Sequence, residues 1–235
     1  PADLQALVDT YGERVRAVAL DVTDPAAARA AVAVATSAFG RLDVVVNNAG
    51  YANVNSIEHV AEEDFRAQME TDFFGVVNVT RAALPVLRAQ RDGHILQISS
   101  IGGRVATPGL AAYQSAKWAV GGFSEVLAHE VGPLGIRVTV IEPGGMRTDF
   151  AGPSMRVDAI HEDYQDTVGK MTQVRAQTRE VLRGDPARCA QVILRLTAEP
   201  QPPLRLLLGT DAIHYAEIFA QARAKEDAKW RSVSE

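Results

Sequence analysis

Cysteine is almost missing: Cys189 is the single one in 235 residues. One thiol cannot build an intrachain disulfide framework, and such sparing use fits a reducing compartment, so the cytoplasm is the expected location. Long apolar runs are missing too. Nothing approaches the roughly 18 to 20 apolar residues of a membrane-spanning helix, and no membrane partner is expected. Positive charge is not in excess. Lys and Arg number 24 against 29 Asp and Glu, a net charge of −5. A nucleic-acid binder normally carries a basic face, so no nucleic-acid partner is expected. His59, His94, His129, His161 and His214 show no metal-ligand spacing and have no cysteine cluster beside them, which predicts structural or exposed roles and no metal. The opening residues, from Pro1, do not form a basic-then-apolar leader; they read as the first turns of a helix, as if the chain began within a fold.

What is present is a hydrophobic content of 47% with only 23% charged residues, a globular composition. A chain of this length buries roughly 70% of its unfolded surface without staples, and one domain over residues 1–235 is expected. Strand-like and helix-like segments alternate. Val15–Leu20, Leu42–Val46, His94–Ile98, Arg137–Ile141 and Leu204–Leu208 read as strands. Helices are expected from Asp24-Pro25 to about Phe39, over about 62–90 with Pro85 kinking or dividing the segment, from Tyr113 to about Gly132, over about Asp185–Ala198 and from about Asp211 to Lys229. Residues 146–184 lack a clean period and read as a mobile excursion with one or two short helices. Alternation of this kind predicts an α/β fold, a doubly wound parallel sheet.

Ligands of such sheets bind beyond the carboxyl ends of the strands. Four predicted strand ends carry turn-forming or polar residues: Asp21-Val22, Asn47-Asn48-Ala49-Gly50, Ser99-Ser100 and Pro143-Gly144. Each alone reads equally as an ordinary turn. The segment Tyr113-Gln-Ser-Ala-Lys117 sets a phenol and an ammonium four residues apart, on one helix face. A phenol has a reference pKa near ~10, and a nearby cation favours its ionised form. The pair can thus move a proton to or from a carbonyl or alcohol. Taken bare, the same pattern also fits a surface helix with an incidental Tyr and Lys.

In their order and spacing, Asp21-Val22, Asn47-Asn48-Ala49-Gly50, Ser100, Tyr113, Lys117 and Pro143-Gly144 with Thr148 resemble the classical short-chain dehydrogenases/reductases over nearly the whole chain. The resemblance implies a Rossmann-like fold, NAD or NADP as cofactor and hydride transfer between an alcohol and a carbonyl. It implies Tyr113 as acid/base, Lys117 as the residue that lowers its pKa and holds the nicotinamide ribose, and Ser100 as the hydroxyl that orients substrate. Asp21 and Val22 would sit by the adenine. Asn48, Ala49 and Gly50 would line the path to the nicotinamide, which Pro143, Gly144, Met146 and Thr148 would flank. It also implies a homodimer or homotetramer, with Phe73, Phe74, Val76, Trp118, Phe123 and Leu127 on the pairing helices, and a small alcohol or carbonyl compound as substrate.

Two departures stand out. Asp72 occupies the place where the family usually has an Asn that holds a water linked to the lysine. An ionised carboxylate cannot donate a hydrogen bond; Asp72 either weakens the effect of Lys117 on Tyr113 or stands in neutrally for Asn. No glycine-rich phosphate turn precedes Asp21, and we expect a chain incomplete at its front, lacking the first strand–helix–strand unit. A non-catalytic scaffold of the same fold and a sugar-nucleotide epimerase are the rival readings. Within 146–184, Met155, Ile160, Tyr164 and Met171 either line a substrate pocket or cover the core. Arg175, Arg179 and Arg183 are expected to form a solvated helix face, and Cys189 a packed small residue.

Overall fold

The computed structural model of the protein describes residues 4–148, 150, 154–179 and 184–235. Among these residues the α-helices are, in chain order, α1 Gln5–Tyr11, α2 Pro25–Phe39, α3 Glu62–Met69, α4 Gly75–Gln90, α5 Ala111–Val131, α6 Lys170–Arg179, α7 Pro186–Ala198 and α8 Thr210–Ser234. The strands are β1 Val44–Asn47, β2 Ala52–Val54, β3 Gly93–Ile98, β4 Ile136–Pro143, β5 Met155–Val157 and β6 Arg205–Leu208.

The local signals act as their chemistry requires. Asp24 accepts from the Ala26 N–H at 2.7 Å with Pro25 at the first helical position, and so starts α2. Asp185 and Pro186 repeat the device at α7. Between α5 and β4 the chain turns at Gly135, whose φ of 82° and closeness to the Arg91 carbonyl oxygen (2.3 Å from where a Cβ would stand) leave no room for a side chain.

The main sheet runs β1-β3-β4-β6, every pair parallel. Parallel neighbours need crossover connections. Helices α3 and α4 supply the first, α5 the second, and the segment with α6 and α7 the third. The α/β expectation holds in this parallel sheet and its flanking helices. The core lies where α4 and α5 meet the strands: Ala83 and Leu87 from α4, Leu127 and Val131 from α5, and Val45, Ile95, Ile136 and Val138 from the strands. A second, two-stranded parallel sheet pairs β2 with β5.

Three expectations need correction. Val15–Leu20 is not a strand. No described residue forms a ladder with it, and Val18 and Leu20 are each 39% exposed. An apolar run becomes a strand only when a neighbour takes its backbone hydrogen bonds. The helical stretch from 62 to 90 does divide, but not at Pro85, which sits inside an intact α4. The division is a π-helical turn at Glu70–Phe74, a wider turn often found at functional sites. The 146–184 excursion contains a strand, β5, besides α6 and the short helical turns at Glu162–Tyr164 and Gln165–Gly169, because β2 offers β5 a ladder. Pro1 and Arg183 lie outside the described residues.

The burial of His94 has a pH consequence. This side chain is fully buried on β3. The Thr139 hydroxyl donates to the Pro203 carbonyl at 2.8 Å, so His94 Nε2 must be the donor in its 3.0 Å bond with Thr139 Oγ1. Its Nδ1 is left as a bare lone pair without a partner among the described residues. Burial, then the charge of Arg137, pushes the imidazole down from 6.5 to about 4. The unfolded chain binds a proton here that the folded chain refuses. Stability from this group is therefore complete above pH 6.5 and is lost as pH falls towards 4. A shift of this size corresponds to about 3 kcal/mol. In thermal unfolding, His94→Gln should flatten the parent's loss of stability across that window. An unchanged slope would place the acid sensitivity elsewhere.

Candidate active site

Parallel register puts the carboxyl ends of the strands on one rim. Asn47 pairs with Gln97, Ile98 with Ile141, and Pro143 with Leu208. Asn48-Ala49-Gly50, Ser99-Ser100 and Pro143-Gly144 therefore leave the sheet together. Beneath them the Asn47 amide donates to Gln97 Oε1 at 2.8 Å and to Thr80 Oγ1 at 3.1 Å, fixing β1 against β3 and α4.

Helix α5 brings its chemistry to the same rim. Its buried positions include Ala112, Tyr113, Ala116, Lys117, Val120, Leu127 and Val131, the spacing of one helix face. Lys117 donates from Nζ to the Ile98 carbonyl at 3.0 Å, and that ammonium lies 5.6 Å from the centre of the Tyr113 ring. Ser100 Oγ accepts from the Gly102 N–H at 3.0 Å. A Cβ on Gly102 would stand 3.4 Å from both Ser100 Oγ and Tyr113 Cε1, so the two side chains meet across this glycine. Burial pushes the Tyr113 phenol well above its ordinary range; the Ser100 hydrogen bond pulls it back and the charge of Asp72 pushes it further up. Burial lowers the Lys117 ammonium, against the opposing pull of Asp72.

Asp72 completes the group. The π-helical turn carries it to 0% exposure. Its Oδ1 accepts from the Tyr51 N–H at 3.1 Å, and Oδ2 has no partner among the described residues. A Cβ on Gly50 would lie 2.9 Å from Asp72 Oδ1 and 3.5 Å from Lys117 Nζ, so carboxylate and ammonium converge on the bare face of that glycine. Burial raises the carboxyl from 3.8 to about 6, against the lowering effects of Lys117, the Tyr51 N–H and Gln68.

The remaining predicted residues form the outer rim. Asp21 is exposed and accepts from the Thr23 N–H (2.9 Å) and hydroxyl (2.8 Å), which hold its carboxyl below the usual range. Val22 presses on the start of α4: its Cγ2 stands 2.6 Å from where a Gly75 Cβ would be, and its carbonyl accepts from Asn78 Nδ2 at 3.0 Å. Asn48 and Ala49 are exposed, and Gly50 is half-buried. Pro143 is buried, Met146 is half-buried in a bridge to Gly184, and Thr148 is exposed. Open backbone at 48–50, leading to a buried ammonium, suits a flat, polar cofactor lying across the rim.

On the other side of Tyr113 lies an apolar wall. Tyr113 packs with Ala52, Val54, Leu110 and Val168, and Phe150, Met155, Ile160 and Tyr164 pack against that cluster. Met171 is half-buried on α6. Arg175 is not the solvated side chain expected. Its Nη2 donates to Thr107 Oγ1 (2.8 Å) and the Pro108 carbonyl (2.9 Å), and burial lowers its pKa. Cys189 is half-buried, and burial with the nearby Asp185 raises its thiol.

Sequence reasoning missed two carboxylates that hold the rim. Glu142, fully buried at the end of β4, accepts from Arg104 Nε (2.7 Å) and Arg205 Nε (3.0 Å), and Arg205 also reaches Glu125 at 2.7 Å. An acid ending an apolar strand was its only signal. Asp211 accepts from the Gly145 N–H at 2.7 Å, and a Cβ on Gly144 would stand 2.3 Å from its carboxylate oxygens. The glycine at 144 is what lets the start of α8 close on this turn.

A protein-family model described as short chain dehydrogenase matches residues 2–157. Oxidoreductase BOA17 of Botryotinia fuckeliana (strain B05.10) is 51% identical over 235 residues, spanning 100% of this chain and 86% of that protein. The crystal structure of a short-chain dehydrogenase from Streptomyces avermitilis superposes with a TM-score of 0.92 at 36% identity, over 99% of this chain and 85% of that one. A gluconate 5-dehydrogenase from Burkholderia cenocepacia J2315, solved with NADP and tartrate, gives a TM-score of 0.55 at 28% identity, over 57% of this chain and 52% of that one.

The raised carboxyl of Asp72 has a consequence for stability. The folded chain holds this proton more tightly than the unfolded chain, so stability falls as pH rises from 3.8 towards 6. At neutral pH the buried charge costs on the order of 3 kcal/mol. Asp72→Asn should therefore unfold at a higher temperature than the parent at pH 8, and the gain should shrink below pH 4. Equal effects at both pH values would mean that the buried charge carries no such cost.

Proposed function

The chain belongs to the short-chain dehydrogenase family, and on that premise we propose that it is an oxidoreductase interconverting an alcohol and a carbonyl with NAD or NADP. The observation that carries this reading is the meeting of Tyr113, Ser100 and Lys117 at one buried point on the rim, between an open backbone track and an apolar wall. Asp21, Val22, Asn48, Ala49, Gly50, Pro143, Gly144, Met146 and Thr148 are the residues proposed to hold the cofactor. NADP in the related gluconate 5-dehydrogenase supports the choice of cofactor class. Bound there, the nicotinamide ring supplies or takes up the hydride. Ser100 orients the substrate oxygen, and Tyr113 gives that oxygen a proton in reduction or removes one in oxidation. Lys117, held by the Ile98 carbonyl, keeps a positive charge near the phenolate that reduction leaves.

The 146–184 region supplies one wall of the proposed substrate pocket. Phe150, Met155, Ile160 and Tyr164 around Tyr113 favour an apolar carbonyl compound. We assign the whole chain to one domain working in the cytoplasm, where a lone thiol stays reduced. Exposed Phe74 on the π-helical turn, with Trp118 and Val126 on α5, supports two-fold pairing into a homodimer or homotetramer.

Tyr113→Phe should keep NAD(P)H affinity and lose about 10²–10⁴-fold in turnover of an apolar ketone. Parent-like turnover by this variant would remove Tyr113 from the chemistry. Light scattering at micromolar concentration should give the mass of a dimer or tetramer; a monomer would refute the pairing.

A further inference from the structure

Asp72 shares the bare face of Gly50 with Lys117, and this chain differs there from the pattern it otherwise follows. Resting on the oxidoreductase reading, we propose that Asp72 is a positioning residue that keeps the proton on Tyr113 and so suits this site to carbonyl reduction. The groups involved can be named from every packed element. Helix α5 contributes Lys117 and Tyr113, the turn after β1 contributes Tyr51, and α3 contributes the neutral Gln68. Burial raises the Tyr51 phenol, the charges of Asp72 and Asp64 raise it further, and Arg156 and a bond with Thr71 lower it. Ser100 is the neutral partner of Tyr113. Glu70, on the same turn as Asp72, is exposed.

Three observations carry the inference. Asp72 is fully buried, and its Oδ2 has no hydrogen-bond partner among the described residues, so its charge is poorly compensated. Its other oxygen converges with Lys117 Nζ on the face of Gly50, which sets the carboxylate against the ammonium that would otherwise act on Tyr113 alone. Its charge opposes ionisation of Tyr113 directly.

The chemistry follows from the sign. In reduction the carbonyl carbon gains a hydride from the nicotinamide, the C=O π bond breaks, and its oxygen takes the proton from Tyr113 Oη. A phenolate remains and regains its proton from solvent. Reduction needs Tyr113 with its proton; oxidation needs it without. An ionised Asp72 therefore extends reduction to higher pH and delays the onset of oxidation to higher pH. The carboxyl ionises near 6, so the effect operates at neutral and alkaline pH and fades in acid.

The test reads Tyr113 itself, in the full chain saturated with oxidised NADP. The five tyrosines are labelled with ¹³C at Cζ, and the Tyr113 resonance is assigned by its loss in Tyr113→Phe. Asp72→Asn should lower the phenol midpoint by about half to one pH unit. It should also move the alkaline limb of ketone reduction, and the onset of alcohol oxidation, down together. Asp72→Ser provides the same reading if the Asn variant is poorly folded. Coincident midpoints, a midpoint that rises because Lys117 loses its proton together with the carboxylate, or a resonance that moves in neither protein before it unfolds, would overturn the proposal. The resonance shift does not require turnover. A lowered midpoint with no ketone or alcohol turned over would leave the electrostatic coupling standing and refute the oxidoreductase reading instead.

Discussion

Parallel pairing of β1, β3, β4 and β6 is the constraint on which the site depends. Parallel neighbours cannot be joined by tight turns, so each connection crosses back beside the sheet through helices. All four strands then end at one rim, and the three crossovers that join them start there. The ends of β1, β3 and β4 meet at that rim, although about a hundred residues separate Asn47 from Pro143. The turn after β3 delivers Ser100, and the first turns of α5 deliver Tyr113 and Lys117. The bond from Lys117 to the Ile98 carbonyl locks that helix to the strand before it.

Burial makes the charges at this rim consequential. Where a buried carboxylate is matched, it organises its surroundings: Glu142 ties the turn bearing Arg104 to β4 and β6, and through Arg205 to α5. Where the match is incomplete, the cost appears as a shifted ionisation. Asp72 holds a proton to higher pH, Lys117 gives one up more readily, and Tyr113 resists losing its own. A low-dielectric pocket couples the three, and the charge of one sets the proton affinity of the next. The same physics acts at His94, whose Nδ1 has no partner among the described residues and whose imidazole takes a proton only near pH 4 inside the core.

What could be read from the sequence depended on the range of the interaction. The Asp24-Pro25 and Asp185-Pro186 starts, the β-branched run at Val44–Val46 and the one-face spacing of Tyr113 and Lys117 are local signals, and each lies where its local chemistry predicts. Val15–Leu20 carries a local signal of the same kind but no ladder partner among the described residues. Pro85 carries a local breaking signal, but the helix around it is continuous. The helix instead widens at Glu70–Phe74, where the Tyr51 backbone offers Asp72 a hydrogen bond.

The sequence by itself determined the alternation of strands and helices, the family to which the chain belongs and the identity of the residues at the rim. The alternation rests on periodicity and capping, which act over a few neighbours along the chain; the family and the rim residues rest on the order and spacing of motifs that resemble it from Asp21 to Thr148. The tertiary structure alone decided that Glu142 would bind two arginines, that Asp211 would close on Gly144 and Gly145, and that Arg175 would turn inwards to Thr107. It also decided how fully Asp72 is buried and that it shares the face of Gly50 with Lys117. Those outcomes depend on desolvation and on partners from 21 to 68 residues away in the chain, and neither is encoded in any short window.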